Sequence, residues 1–261
     1  MVHLLRSAPI KLPALLTLAI LVALPSGAIG KDTRCFEMRV YHAAPGKLDA
    51  LHARFRNHTT QLFTKHGMTN LGFWTPAENP ELKLIYVLAY PNRAAREASW
   101  KNFLSDPDWL SAQKASEVDG ALVAKIESTF MEATDFSPEI KASSAAPRVF
   151  ELRTYTTTPG NLENLKARFR QHTTALFAKH GMSNMFYWNL QPDQPRADQT
   201  LVYLLAHRDA ATMAASFQAF REDSLWLAAK EASEKAAGGS LTVPDGVKSL
   251  LLNATDYSET R

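Results

Sequence analysis

The sequence predicts an α+β protein built from two tandem ferredoxin-like β-α-β-β-α-β domains, paired sheet to sheet as an intramolecular pseudo-dimer with a barrel-like core. Three observations carry this. The stretch Phe36 to Trp74 returns as Phe150 to Trp188, with 23 of 39 aligned positions identical and no gap. The copies start 114 residues apart, far beyond the roughly 20–50 residue period of a solenoid, so each copy is a whole domain. Both copies then run through the same succession of period-2 and helix-period segments.

In the first copy Phe36 to Tyr41 alternates apolar with polar or amphipathic residues, the pattern of a strand covered differently on its two faces, and Pro45-Gly46 stops it. From Leu48 the apolar positions Leu51, Phe55, Leu62 and Phe63 follow helical spacing, ending at His66-Gly67, where glycine suits a C-terminal cap. Met68 to Trp74 and Leu82 to Tyr90 read as two strands joined by a Pro/Asn-rich turn. Ala94 to Glu117 is helical, with Asp106-Pro107 marking a break and a new start. Lys125 to Ala133 supplies the last strand.

The second copy repeats this order: Phe150 to Tyr155, Leu162 to His180, Met182 to Leu190, Thr200 to His207, Ala210 to Ala237 and Lys248 to Ala254. The offset grows to 117 at Tyr86/Tyr203 and to 121 at Asp135/Asp256, placing insertions in the hairpin and ahead of the last strand. The domains are expected at residues 31–137 and 149–261, joined by an Ala/Ser-rich linker at 138–148.

Helices cover one face of such a sheet and leave the other open. The open faces are expected to carry Glu37, Arg39 and Tyr41 in the first domain and Glu151, Arg153 and Tyr155 in the second, forming a charge-paired inter-domain interface.

Residues 1–30 stand apart. Arg6 and Lys11 precede the apolar run Leu12 to Leu24, which leads to Pro25 and the small-residue end Ala28-Ile29-Gly30. This reads as a secretory signal peptide, and its apolar run is shorter than the roughly 20 residues of a membrane span. A periplasmic or secreted product is therefore expected, with no stable membrane span after cleavage. Loss of these residues removes two basic and no acidic side chains, moving the formal charge from +3 to +1. That balance, with strands lacking an RNA-binding glycine and aromatic signature, argues against nucleic-acid binding. Cys35 is the only cysteine, so an internal disulfide and a cysteine metal cage are ruled out.

Glu151-Leu152-Arg153-Thr154-Tyr155, Pro159-Gly160, Lys179-His180-Gly181-Met182 and the aromatic strand through Trp188 resemble the NIPSNAP domain of the dimeric α/β-barrel superfamily. The first copy matches through Glu37, Arg39, Tyr41, Pro45-Gly46, Lys65-His66-Gly67-Met68 and Trp74, and departs at Met38 and Val40. The resemblance covers nearly all of the chain after residue 34. It implies ferredoxin-like domains paired as a dimeric α/β barrel, and carries no catalytic residues over. More distant barrel relatives include cofactor-independent monooxygenases and haem-binding proteins, an analogy of fold alone.

Ligand-pocket candidates follow from helical phase. At about 100° per residue, Leu51, Phe55, His58, Leu62 and His66 share the face that should meet the sheet, and His172 and His180 repeat this. Such imidazoles suit acid/base work or haem ligation, or simply a helix C-terminus where a cation is welcome. A spacing of eight separates two rings by roughly 12 Å along the axis, too far to share a metal, and no metal site is expected. Arg54 and Arg56, with Arg168 and Arg170, could grip a carboxylate or a haem propionate, against the commoner arrangement of guanidinium heads in water, which is the favoured expectation. Trp74 and Trp188 read as core or as walls for a flat ligand, with Asn70 and Asn184 beside them. Asp135 and Asp256 read as turns or caps.

No nucleophile elbow, phosphate-cradling loop or dinucleotide fingerprint is present, so hydrolase, kinase and dehydrogenase readings have no support. The leading expectation is an exported protein that binds a small molecule or a protein partner. No cofactor is predicted. Alternatives are a cofactor-independent oxygenase or isomerase using His58 or His172, and haem binding. The residues leave open whether the chain is an enzyme and whether copies assemble into a homo-oligomer.

Overall fold

The computed structural model describes residues 32–144 and 148–261. The expected signal peptide at 1–30 and part of the linker lie outside the described residues. Each repeat contributes four strands and four α-helices. The first holds β1 (Cys35–Ala43), α1 (Leu48–Arg54), α2 (Thr60–Lys65), β2 (Thr69–Pro76), β3 (Lys83–Tyr90), α3 (Arg93–Leu104), α4 (Pro107–Ser116) and β4 (Val123–Ala133). The second holds β5 (Val149–Thr157), α5 (Leu162–Arg168), α6 (Thr174–Lys179), β6 (Ser183–Leu190), β7 (Thr200–His207), α7 (Ala210–Glu222), α8 (Ser224–Ala236) and β8 (Thr242–Ala254).

Local chemistry explains the helix starts. Asn92 and Asp209 cap α3 and α7 by accepting from the N–H groups of Ala95 and Thr212. Asp106 caps α4 with Pro107 at its first position, and Asp223 caps α8. The break expected at Asp106-Pro107 is therefore a true helix boundary.

All strand pairs are antiparallel and the sheet closes on itself in the order β1-β3-β2-β8-β5-β7-β6-β4. The seams between repeats are β2 with β8, where Trp74 faces Ala254, and β4 with β6, where Met131 faces Leu190. Closure removes every sheet edge. The lumen is packed with Phe36, Trp74, Val87, Phe150, Trp188 and their neighbours, so it is a core rather than a channel. Two further cores lie between the helices and the outer surface of the sheet, one per repeat.

In the lumen Trp74 folds back over Gly72, where an added Cβ would come within 2.3 Å of the indole. The second repeat has Phe186 at the matching position, and its ring packs 5.3 Å from Trp188. A single glycine-for-phenylalanine exchange thus lets two tryptophans fill one lumen differently.

The structure corrects the expected inter-domain interface. Residues 36, 38 and 40 of β1 point into the lumen, whereas Glu37 and Arg39 are buried beneath α3 of their own repeat. Tyr41 joins the same helix-side core, and Tyr155 packs against Phe169 in the second. Glu151 and Arg153 likewise lie on the helix side, with Arg153 over Phe217 of α7. Strand side chains alternate, so a one-residue error in parity exchanges the two faces completely.

The repeats also exchange their ends. After β8 the chain crosses onto the first repeat, where the Thr255 N–H donates to the Phe73 carbonyl at 2.9 Å and Tyr257 packs on Phe55 and Phe73. After β4 the reciprocal segment donates from Thr134 N–H to the Tyr187 carbonyl at 3.0 Å and places Phe136 against Phe169 and Tyr187. Asp135 and Asp256 are thereby ion-paired to Arg170 and Arg56 of the opposite repeat rather than serving as simple turns or caps. The insertion expected ahead of the last strand falls partly inside it, because β8 begins at Thr242 and bulges at Asp245, whose φ is 54°.

Candidate functional site

A cavity of about 490 Å³ opens between the helices and the sheet of the first repeat. Arg39 and Tyr41 reach it from β1, Arg54 from the end of α1, and Arg96 and Trp100 from α3. Trp109 from α4 and Glu117 just beyond that helix complete the enclosure.

Its shape depends on a π-helical turn. Between α1 and α2, Phe55–Thr59 winds wider than an α-helix, with the Thr60 N–H reaching back five residues to the Phe55 carbonyl. The Thr59 hydroxyl donates to the Arg54 carbonyl at 3.2 Å. The second repeat has the same turn at Phe169–Thr173, with Thr173 donating to Arg168 at 3.2 Å. One extra residue in the turn rotates everything after it by about 100°. Thr59, Leu62 and Phe63 therefore follow Phe55 onto the sheet, and His58 is turned to solvent.

Glu37 organises the polar floor. Completely buried, it accepts from Arg39 at 2.6 Å, Arg96 at 2.7 Å, Ser128 at 2.6 Å and Tyr90 at 3.0 Å. Burial pushes its carboxyl upward, but the Arg96 hydrogen bond, the Arg39 charge and Ser128 outweigh that and bring it down to about 2. Arg39 also donates to Tyr86 at 3.0 Å and lies 4.2 Å from the Trp100 ring centre. Arg54 is 5% exposed, donates to Glu117 at 2.8 Å and stacks 5.1 Å from Trp109, but its Nε–H finds no acceptor.

The second repeat keeps this plan and changes its chemistry. Tyr90, Arg96 and Trp100 correspond to His207, Met213 and Phe217. Glu151 is accordingly held by Arg153, Ser249 and His207, whose Nε2 stands 3.2 Å from it. Burial raises the Glu151 carboxyl, and the hydrogen bond from His207 with the Arg153 charge reverses this to a net lowering.

The NIPSNAP family model matches residues 36–138 and 150–243. The chain belongs to the NIPSNAP family. A search of curated proteins finds no match. Among solved structures, a Fusobacterium nucleatum protein described provisionally as a monooxygenase is similar over 88% of this chain and 95% of its own, at 10% identity and a TM-score of 0.56. A protein described provisionally as a chlorite dismutase is similar over 86% of this chain and 96% of its own, at 14% identity and a TM-score of 0.51. A NIPSNAP domain protein from Burkholderia xenovorans is 22% identical and covers 40% of this chain and 99% of its own, at a TM-score of 0.36. The first two share the fold of this chain, a dimeric α/β barrel made within one polypeptide.

Within this NIPSNAP chain the candidate residues part company. Arg54 lines the cavity, and both it and Arg168 are buried, contrary to the expectation of heads in water; the exposed pair is Arg56 and Arg170. Burial lowers the Arg168 pKa. His58 and His172 are exposed, His58 beside a surface groove lined also by Lys65 and Asp108. His66 and His180 bond Asp106 at 2.6 Å and Asp223 at 2.8 Å, clamping each helix end to the cap of the next. Trp74 and Trp188 fill the lumen at 1% and 0% exposure, so they line no helix-side pocket. Asn70 and Asn184 tie β2 and β6 to the helices by donating to the carbonyls of Thr60 at 3.0 Å and Thr174 at 2.9 Å.

Sequence reasoning missed Arg96, Trp100, Ser128 and Glu117. Arg96 and Trp100 are one helical turn apart, a spacing that signals a shared face but not which carboxylate that face will meet. An oxygenase reading based on His58 or His172 loses its enclosed base. The cavity lining holds no imidazole, thiolate or thioether for haem iron, and its one phenol, Tyr41, is 8% exposed and packed edge-on against Phe55 and Tyr86. Among the described residues no group of three or more His, Cys, Asp or Glu side chains could hold a metal, and no helix is long and apolar enough to cross a membrane.

Proposed function

We propose that this NIPSNAP protein is exported and binds a small molecule in the helix-to-sheet cavity of its first repeat. The observation that carries the reading is the cavity itself: about 490 Å³, within the range of ligand sites, walled by Trp100, Phe103 and Trp109 and floored by arginines, one of which keeps an unsatisfied N–H. Binding rather than catalysis is supported by the lining, where no nucleophile stands beside a base. Export is supported by the leader-like pattern of residues 1–30, whose removal would accompany delivery to the periplasm or outside the cell.

Native mass spectrometry of the chain purified from its own host tests binding. A mass excess lost on denaturation, and lost also in Ala121→Trp at the cavity wall, is the expected result. An unmodified mass in the wild type, together with no thermal shift across a small-molecule panel, would end the proposal.

A further inference from the structure

We infer that the cavity takes an amphipathic monoanion, a small carboxylate with an apolar body, held head-first on Arg54 with its body against a rim formed by Leu104 and Ile126. This deepens the binding reading above and rests on it.

Charge gives the first step. Arg39, Arg54 and Arg96 face the cavity, while the carboxylates enclosed with them are Glu37 and the half-buried Glu117. Arg96 touches a third, Glu97, but that side chain is 61% exposed and screened by water. One enclosed positive charge is therefore unmatched, and the Arg54 Nε–H is stranded without an acceptor. A buried cation is costly unless paired. A single carboxylate supplies the missing charge, and its two oxygens match a guanidinium fork. A dianion would only reverse the imbalance.

Polarity along the cavity gives the second. Leu104 and Ile126 line it yet are 55% and 47% exposed, so the mouth is apolar while the base is cationic. A small polar anion would leave that rim bare, and a neutral apolar molecule would leave the surplus positive charge uncompensated. The second repeat lacks this gradient: Arg96 corresponds to Met213 inside, and Leu104 to Arg221 outside. The stranded Nε–H itself recurs at Arg168, and Val247 matches Ile126, so what sets the first repeat apart is the added Arg96 charge inside and Leu104 at the rim.

Isothermal titration of the full chain with octanoate and with octan-1-ol tests the assignment. Octanoate is expected to bind at least about tenfold more tightly than the alcohol, the factor set by one charge-assisted pair of hydrogen bonds. Arg54→Met should remove that difference. Should that variant fail to fold, Arg96→Met serves, because the fold already holds methionine at the matching position 213. Equal affinity for octanoate and octanol would overturn the anion and leave the binding reading standing. Acetate binding as tightly as octanoate would overturn the apolar body. If neither probe binds, the assignment falls, and the binding reading falls with it only when native mass spectrometry also finds no ligand.

Discussion

Arg56 and Asp256 lie 200 residues apart in sequence and meet in a two-pronged ion pair, Nε to Oδ2 at 2.5 Å and Nη2 to Oδ1 at 2.7 Å. Arg170 and Asp135 form its twin with the same two distances. Each repeat thus sends the residues after its last strand onto the other, and neither helix-side core is complete alone.

The ion pair is exposed, so its own worth is small. Arg56→Ala should lower stability by less than about 1 kcal/mol. Tyr257→Ala should cost about 2 kcal/mol, below the ~3–5 of a fully enclosed ring, because Tyr257 is half-buried on Phe55 and Phe73 and accepts or donates a 2.7 Å hydrogen bond with His52. Urea unfolding that ranks the two variants in the opposite order would show that charge rather than packing holds the crossed tail.

Glu37 should make stability pH-dependent at the acid end. Its carboxyl is held at about 2 in the fold against an ordinary 4.5. A carboxylate lowered by folding stabilises fully above its unfolded value, and that contribution is lost as pH falls through 4.5 toward 2, on the order of 3 kcal/mol in all. In Glu37→Gln the acid limb should flatten. The same variant should be destabilised at pH 7 by about 3 kcal/mol or more, since Arg39 and Arg96 lose their buried partner. An unchanged acid limb would contradict the network.

The π-helical turns predict a contrast between neighbours. His58→Ala and His172→Ala alter only exposed side chains and should shift stability by less than about 0.5 kcal/mol. Thr59→Ala removes a hydroxyl that is 1% exposed and bonded to Arg54, and should cost about 1 to 2 kcal/mol. A large loss at His58 would mean that the imidazole faces inward after all.

Export predicts a shorter product. Expressed from its full sequence in a Gram-negative host, the protein should be recovered outside the cytoplasm with residues 1–30 missing, read by intact mass and N-terminal sequencing. Recovery of the uncut chain in the cytoplasm would refute it.

Much of the architecture was legible because its causes are local. The duplication, the strand and helix order, and the break at Asp106-Pro107 arise from spacing and capping within a few residues. The site was less legible. Arg54 was named from its place on the helix, but the carboxylate it grips, Glu117, is 63 residues away, and Arg96 meets Glu37 at a separation of 59. No short-range pattern encodes such meetings.

By itself the sequence determined that two like halves would each fold as strands and helices in one order and join through their sheets. Only the tertiary structure decided which face of β1 meets the helices, how far the turn at Phe55–Thr59 rotates His58 away, and that the chain ends cross between repeats. The physical reason is common to all three. A shift of one residue swaps a strand's faces or turns a helix by about 100°, and the energy that selects among these phases comes from packing between segments remote in the chain.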